Sequence, residues 1–537
     1  MLSIVEDEAQ DVFATAGTSI YPISALSGVD QSGNYFGTIH MEPMAGGLGA
    51  FRDADGEDTG GTVYDANTLL YMGQPFTPQG GGQIQTLQTN PKTVPEIQKI
   101  LAVCNRYKVP VWTISTGRNI GMGSAAPAMR GEVILDLKRM NRILDVDPVL
   151  GTALVEPGVT YQQLHDHLRE RNIPLWLDFP APGPLASPMG NTLERGGGQT
   201  PYGDHFGNCC GMEVLLGDGT LLRTGMGGIA GTKSWQAYKY GFGPYLDGLF
   251  TQSNFGVVTK LGLWLMPAPP AHLTLLAMWP DRDAVARAVE AIRPLRYDGT
   301  IGNFGVLVND ALLMTSFHRR AEVWTGPGAV TDAAIRAVAA PRGIEPWCYL
   351  FSLYGRPELI ELNTRIVTEA LEASGAKVLA GVHDPMSVNE LTLQAFALLN
   401  WAGSGGLAWF APVAPCTGAD VAKQNRLARA VMDAHGIDFF SGATLNGREV
   451  LNVMPLVFNR DDVDERRRAR ACFEELLARF AAEGYGFYRT GIGFMDRVAG
   501  IHGATLLDVN RRIKRALDPN GILAPGKSGI HPLPGRA

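Results

Sequence analysis

The stretch Ile114-Ser115-Thr116-Gly117-Arg118-Asn119-Ile120-Gly121-Met122-Gly123 decides how the chain around it is interpreted. It lies between two apolar, strand-like runs at 109–114 and 133–137. Its three glycines allow positive φ angles and a close approach of the backbone to a ligand. Successive backbone N–H groups in such a loop can form a nest for an anion such as phosphate. The stretch therefore predicts an anion-binding loop between two strands, with an ordinary glycine-rich turn as the alternative.

The flanking sequence predicts alternating helices and strands. Thr93 and Glu96 have the spacing of a capping box, so we expect a helix to begin near residue 94. A second amphipathic helix is predicted around 161–168, and a hairpin around residues 217–219. This α+β alternation, with the loop between elements, is typical of a domain that binds a small molecule.

The domain organisation is read from changes in composition. The chain of 537 residues is too long for one hydrophobic core. Residues 1–90 form an irregular segment rich in Gly, Thr, Asp and Gln, joined to a first domain at 91–270. The proline cluster at 267–270 marks its end, and Ala- and Arg-rich helical segments alternate with short apolar runs beyond it. We therefore expect a second α+β domain at 271–498.

Charge and cysteine content exclude several classes of protein. The formal net charge of −7 argues against a nucleic-acid partner. No apolar run reaches the roughly 18 residues of a membrane span, and the acidic N-terminus lacks a signal-peptide pattern. We expect a cytoplasmic protein, with a periplasmic location left open. None of the six cysteines forms a CxxC pair, so no metal site is predicted and buried free thiols are expected.

Three nucleotide-binding patterns occur in the wrong context. The GxGxxA matches at 225–230 and 403–408 are followed by a loop and by a strand-like run, not by the helix that dinucleotide binding requires. The GxxxxGK[ST] pattern at 521–528 follows an Arg-rich helical stretch and runs into Ile530-His531-Pro532. We therefore reject these three patterns as nucleotide-binding motifs.

Two features of the remaining sequence point to chemistry. Tyr488-Arg489 places a phenol beside a fixed cation, which can recognise an anion or a phenolate, although a core Tyr and a surface Arg is the alternative. The loop at 180–206 is far longer than a connection needs, which is typical of functional loops. His205 lies in it, and a lone histidine also fits a purely structural role.

At this point a specific resemblance emerges. The chain from about residue 90 to its C-terminus resembles the vanillyl-alcohol oxidase/p-cresol methylhydroxylase family. The motifs that carry the resemblance lie at 115–127, 156–160, 190–192, 200–206, 250–254 and 518–530. It implies a two-lobed FAD-binding domain of the p-cresol methylhydroxylase type plus an α+β cap domain, with residues 499–537 returning to the FAD-binding domain.

The resemblance also implies the residues that bind FAD. The pyrophosphate would lie on the loop at 115–123, in agreement with the nest predicted from the glycines. Lys527 would lie near the flavin N1/O2 edge, where a cation stabilises the reduced, anionic ring. The implied cofactor-binding residues are Ser115, Thr116, Gly117, Arg118, Asn119, Gly121, Met122, Gly123, Pro157, Gly158, Gly190, Asn191, Thr200, Tyr202, Gly203, His205, Val257 and Lys527.

The implied activity is the oxidation of 4-substituted phenols such as alkylphenols or 4-hydroxybenzyl alcohols. Members of the family bind the phenolate, transfer hydride from the benzylic carbon to the flavin and form a quinone methide. Tyr488 and Arg489 match the pair that holds the phenolate oxygen, so they are the implied catalytic residues.

Several positions depart from the family pattern. Met122 replaces a second phenolate-binding Tyr, Ala181 an acid near flavin N5, and Pro455 a cap acid. Leu399 and Leu407 fall where a Tyr or His would link the flavin covalently. Because leucine cannot bond to the flavin, noncovalent FAD is predicted.

These departures leave three functions open. The first is an FAD-dependent oxidoreductase acting on an aromatic, 4-substituted phenol. The second is the same flavin chemistry on a non-phenolic alcohol or amine, and the third is a catalytically silent flavin-fold partner subunit. The electron acceptor would be O2 or a separate cytochrome c, since the chain has no CxxCH. A homo-oligomer, or a heteromer with a cytochrome subunit, is expected.

Overall fold

The computed structural model describes residues 87–128, 132–382 and 393–532. The predicted irregular segment at 1–90 lies almost entirely outside these residues. The described chain forms an α+β fold, as predicted, built around two smaller sheets and one large sheet.

The first sheet has three parallel strands, β1 (Leu87–Thr89), β2 (Val111–Ile114) and β3 (Val133–Asp136), in the order β1-β3-β2. Helix α1 (Val94–Tyr107) packs on it through an apolar face that the sequence predicts. Thr93 is its N-cap, accepting a hydrogen bond from the Glu96 N–H. The predicted capping box would have the Glu96 carboxylate accept a hydrogen bond from the N–H of Thr93. In the structure it accepts from the N–H of the preceding residue, Lys92 (2.7 Å).

The second sheet has five antiparallel strands in the order β4-β5-β9-β7-β8. The predicted hairpin is its β7–β8 pair, and the predicted second helix, α2, covers it with Tyr161, Leu164 and Leu168 buried. A short helix, α3, lies within the long polar loop. The elements are β4 (Ile143–Asp147), β5 (Thr152–Val155), α2 (Tyr161–Glu170), β6 (Leu175–Trp176), α3 (Pro188–Leu193), β7 (Cys209–Leu215), β8 (Leu221–Arg223), β9 (Val257–Trp264) and β10 (Met266–Pro267).

The third sheet, here called the cap sheet, has nine strands, and its strand pairs are antiparallel. Its order is β14-β11-β13-β12-β17-β18-β16-β19, with β15 also paired to β18. The strands are β11 (Ala271–Trp279), β12 (Val306–Asn309), β13 (Trp347–Gly355), β14 (Lys377–Ala380), β15 (Gly406–Phe410), β16 (Pro412–Pro415), β17 (Gly442–Leu445), β18 (Glu449–Phe458) and β19 (Gly486–Phe487).

Four long helices pack on the cap sheet and fill its hydrophobic core, whereas shorter helices between residues 310 and 339 form a further apolar cluster. The helices are α4 (Val285–Tyr297), α5 (Asp310–Met314), α6 (Arg320–Val323), α7 (Asp332–Ala339), α8 (Pro357–Ala373), α9 (Gly418–Ala434), α10 (Val463–Ala482), α11 (Met495–Ile501) and α12 (Ala504–Leu517). Four of them, α4, α8, α9 and α10, were predicted from sequence to within five residues at either end.

The C-terminal segment returns to the first sheet. Val111 of β2 donates to the carbonyl of Ile522 (2.7 Å) and accepts from the N–H of Ala524 (2.7 Å). A fully buried ion pair between Lys514 and Asp518 (2.6 Å) fixes this return. The segment therefore extends the wall of the first sheet, which brings Lys527 toward the anion-binding loop.

The six cysteines are buried and free of disulfide bonds, as predicted. Burial raises the pKa of the Cys104, Cys209, Cys210, Cys348 and Cys472 thiols to about 12 and that of Cys416 to about 11, so they remain protonated at neutral pH. Within the described residues, no helix is both long and apolar enough to cross a membrane.

Candidate functional site

A cavity of about 1400 Å³ lies between the cap sheet and loops of the two smaller sheets. Single-ligand pockets usually measure about 300–1,000 Å³, so this space suits a cofactor and a substrate together. Thirteen of the predicted site residues line it. They are Ser115, Thr116, Gly117, Arg118, Asn119, Met122, Pro157, Gly190, Asn191, Gly203, Tyr488, Arg489 and Lys527.

The anion-binding loop presents unused donors to this cavity. The backbone N–H groups of residues 116–120 make no hydrogen bond to another described residue. Gly117 has φ +69, a conformation that turns the loop and that L side chains rarely adopt. A run of free N–H groups beside Arg118 fits a phosphate or pyrophosphate.

Gly121 and Gly123 do not line the cavity. Glycine is needed at these positions because side chains from other parts of the chain pack directly against them. A Cβ on Gly121 would lie 2.5 Å from the indole of Trp409, and one on Gly123 would lie 2.7 Å from Ile492. Trp409 Nε1 also donates to the carbonyl of Ile120 (2.9 Å). These two glycines therefore let the cap sheet and its neighbours approach the loop.

Five other predicted residues lie behind the cavity wall. Gly158 packs against the backbone, where a Cβ would lie 2.2 Å from the carbonyl oxygen of Lys138. Val257 is buried in the core beneath α1, whereas its neighbours Gly256 and Val258 reach the cavity. Thr200, Tyr202 and His205 support the loop that reaches the cavity at Gly203.

His205 is the centre of a buried polar network. Its Nε2 lies 3.1 Å from a carboxylate oxygen of Asp178, and its Nδ1 lies 2.5 Å from the side-chain oxygen of Asn191. The second Asp178 oxygen accepts from the N–H of Thr200 (2.6 Å). His205 thus ties the cavity residue Asn191 to the loop at 198–204 without reaching the cavity itself.

Helix α3 carries cavity residues that were predicted to lie in a loop. Ser187 caps it, with its Oγ accepting from the N–H of Gly190 (3.3 Å). Gly190 packs directly against Ser115, whose Oγ would lie 2.2 Å from an added Cβ. The helix therefore supports the first residue of the anion-binding loop.

The predicted catalytic pair lies on the cavity wall. The Arg489 guanidinium donates to the side-chain oxygen of Asn119, and its Nε is buried without a hydrogen-bond partner among the described residues. Gln252 Nε2 fixes the turn by donating to the carbonyl of Tyr488 (2.8 Å). Burial raises the pKa of Tyr488, although Arg489 acts in the opposite direction, so Tyr488 remains a neutral hydrogen-bond donor.

Glu194 is a cavity residue that the sequence analysis missed. Its carboxylate forms an ion pair with Lys527, and its other oxygen lies 4.0 Å from Nε of Arg489. Burial favours protonation of Glu194, but Lys527 and Arg489 hold its pKa below the ordinary value. The only signal for it in the sequence is its position two residues after the motif at 190–192.

The positions that depart from the family pattern divide into two groups. Met122, Ala181 and Pro455 line the cavity, so these substitutions change its wall directly. Leu399 and Leu407 do not line it; they pack with Trp401 in an apolar cluster that also contains the lining residues Leu398 and Trp409. Among the described lining residues there is no histidine, and Tyr488 is the one tyrosine.

Comparisons with known proteins identify related families and relatives. Residues 87–225 match the FAD binding domain family, and residues 308–528 match the C-terminal domain family of FAD linked oxidases. The 4-cresol dehydrogenase [hydroxylating] flavoprotein subunit of Pseudomonas putida is 44% identical over 450 residues, covering 82% of this chain and 86% of that protein.

Two solved structures share the fold. A structure of p-cresol methylhydroxylase with substrate bound matches with a TM-score of 0.81 and 42% identity, over 83% of this chain and 89% of that one. The 4-ethylphenol oxidase from Gulosibacter chungangensis in its isoeugenol complex matches with a TM-score of 0.81 and 33% identity, over 87% and 93% of the two chains. The fold is therefore the predicted p-cresol methylhydroxylase type.

Proposed function

The chain belongs to the vanillyl-alcohol oxidase/p-cresol methylhydroxylase family of FAD-linked oxidases, and we propose that it removes hydride from the benzylic carbon of a 4-substituted phenol. The observation that carries this proposal is the Tyr488-Arg489 pair on the wall of a cavity that also holds the anion-binding loop. The comparisons give no support to a non-phenolic substrate or to a silent partner subunit.

The residues present fit FAD. The free N–H groups at 116–120 and Arg118 suit its pyrophosphate, and Lys527 supplies a cation for the ring edge. When bound, the flavin accepts the hydride. The polar side chains that would hold it are among those that line the cavity, including Ser115, Asn119, Asn191, Glu194 and Lys527.

The chain's own contribution to the reaction is to stabilise the phenolate. Removing hydride from the benzylic carbon is favoured when the phenol oxygen is already negative, because a neutral quinone methide can then form. Arg489 offers a fixed positive charge and Tyr488 a neutral O–H donor for that oxygen. The apolar cavity walls exclude water and strengthen both interactions.

We further propose that FAD is held noncovalently. The Leu399 and Leu407 side chains cannot bond to a flavin, and neither residue lines the cavity. The identity of the electron acceptor is a separate question. The relative in Pseudomonas putida is named as a flavoprotein subunit, that is, one component of a larger enzyme. This supports a heteromer in which a separate cytochrome c subunit takes the electrons; O2 and a homo-oligomer are the alternatives.

An absorbance spectrum of the purified protein tests these proposals, followed by acid precipitation and anaerobic titration with 4-methylphenol. We expect a yellow protein, release of all flavin into the acid supernatant, and bleaching of the flavin band by the phenol. Flavin retained in the pellet would show a covalent link. If the protein binds FAD but no 4-alkylphenol bleaches the flavin absorbance, the proposed activity is refuted.

A further inference from the structure

One wall of the cavity is a face of the cap sheet, and its residues follow the two-residue period of strands. On β12, Val306 and Val308 line the cavity while Leu307 between them is fully buried in the core on the other face. The lining residues on this face are Leu276, Val306, Val308, Cys348, Leu350, Gly442, Thr444, Leu451, Val453 and Pro455.

Strand pairing arranges most of these residues in two rows. The first row runs across five strands through the registered pairs Leu276–Leu350, Leu350–Val306, Val306–Thr444 and Thr444–Leu451. At about 4.8 Å between strands, it spans roughly 19 Å. The second row runs through Cys348–Val308, Val308–Gly442 and Gly442–Val453. All the other residues in the two rows are apolar, and the exceptions are Thr444 and the weakly polar Cys348. The two rows therefore form an apolar surface.

Gly442 is the one position in the two rows that has no side chain. It does not have a positive φ, so its backbone conformation does not require glycine. A Cβ there would meet only side chains, at 3.3 Å from Leu312 and 3.7 Å from Val306 and Val308. Glycine inside a strand costs stability and often marks the close approach of a ligand. The missing side chain therefore lets Leu312 pack close to the strand, so a larger residue at 442 would push Leu312 into the cavity and reduce its volume.

Apart from Thr444 and Cys348, the polar residues that line the cavity lie outside the two rows. Tyr488 and Arg489 provide the phenolate site, whereas Arg296, Asn446 and the exposed Glu449 line the cavity where β18 begins. Glu449 and Pro455 are six residues apart on β18, a separation of about 20 Å. An apolar path thus leads along the strand to a polar opening.

We propose that the surface around Gly442 binds an extended apolar 4-substituent, so that this chain favours 4-alkylphenols with substituents longer than methyl. This proposal rests on the proposed function, because it assumes that the phenol oxygen lies at Tyr488 and Arg489. The substituent would lie against Val308 and Val453, and Gly442 would determine how much volume it can take.

The test measures kcat/KM of the holoenzyme for 4-methyl-, 4-ethyl-, 4-propyl-, 4-pentyl- and 4-heptylphenol. Burial of one methylene group contributes about 0.8 kcal/mol, so kcat/KM should rise about fourfold per added CH2 until the surface is covered. In Gly442→Val, the ratio of kcat/KM for 4-heptylphenol to that for 4-methylphenol should fall at least tenfold, with Gly442→Ala intermediate.

Gly228→Val is the matched control, because nothing lies within 4 Å of a Cβ at Gly228 and the residue does not line the cavity. It should keep the wild-type ratio. A kcat/KM that falls with chain length in the wild type would overturn the proposal. So would a Gly442→Val protein that loses FAD, which would place the cofactor over Gly442. If no phenol bleaches the flavin at all, the proposed function has failed instead.

Discussion

Glu194 forms an ion pair with Lys527, a residue 333 positions later in the chain, on the wall of the cavity. Arg489 lies on the other side of the same carboxylate, at 4.0 Å. One anion therefore offsets two cations at the point where a phenolate and an anionic flavin would bind. Glu194 sets the charge of this part of the cavity as well as holding Lys527 in position.

We predict that Glu194→Gln lowers the free energy of unfolding by about 1–3 kcal/mol at pH 7, because a partly buried charge loses its partner. Since the cations hold the pKa of Glu194 below its ordinary value, this stabilisation is present above about pH 4.3 and is lost as the pH falls through the lowered pKa. Thermal unfolding of both proteins between pH 3 and 8 measures the difference. A difference that does not shrink at low pH would contradict an ionic role.

Of the two cations beside Glu194, Arg489 is the one proposed to hold the phenolate oxygen. Arg489→Met should lower kcat/KM for 4-methylphenol by about 10²–10³, because it removes a charge aimed at the phenolate oxygen. Arg489→Lys should recover only part of this loss, since lysine lacks the planar fork that also reaches Asn119. Steady-state kinetics with unchanged flavin content provide the test. Equal activity of the Met and Lys variants would argue against a role for charge.

The pH dependence follows from the groups that face the phenol. The lowered pKa of Glu194 makes it a poor base, and burial keeps Tyr488 protonated despite Arg489. The proton of the phenol must therefore leave to solvent. We expect kcat/KM to rise about tenfold per pH unit up to the pKa of the free phenol, near 10, and then level off.

Two substrates whose phenol pKa values differ distinguish this explanation from ionisation of the protein. The levelling point should move with the substrate. A levelling point fixed near neutral pH for both phenols would show that a group on the protein accepts the proton.

The sequence predicted the local features of this site well. The glycine-rich turn at 115–123, the cap of α1 and the amphipathic face of α2 depend on residues a few positions apart, so pattern and composition identify them. Helix α3 was missed because its six residues are too short to show a period, although Ser187 and Pro188 carry the usual start signals.

Long-range contacts explain what the sequence could not predict. Gly121 and Gly123 look like parts of a phosphate nest, but each is required by a side chain from elsewhere, Trp409 or Ile492. Glu194 acquires its importance from Lys527, and no local pattern connects the two. The same holds for Gly442, whose missing side chain matters only because of the strands beside it and the cavity in front.

The contact between Gly190 and Ser115 leads to a prediction about cofactor binding. Gly190 has an ordinary helical conformation, so alanine would favour α3 on intrinsic propensity. However, its Cβ would lie 2.2 Å from Ser115 Oγ and 3.3 Å from Ser115 Cβ. Gly190→Ala should therefore displace Ser115 and the free N–H groups that follow it. We expect the Kd for FAD to rise at least tenfold, measured by flavin fluorescence during reconstitution of the apoprotein.

A second substitution separates this effect from damage to the fold. Ser115→Gly removes the atoms that clash, so the double variant should bind FAD more tightly than Gly190→Ala alone. Gly228→Ala, where nothing lies within 4 Å of the added Cβ, should bind FAD like the wild type. If Gly190→Ala binds FAD with wild-type affinity, then α3 does not position the anion-binding loop. If the double variant binds no better, the loss arises from something other than the contact with Ser115.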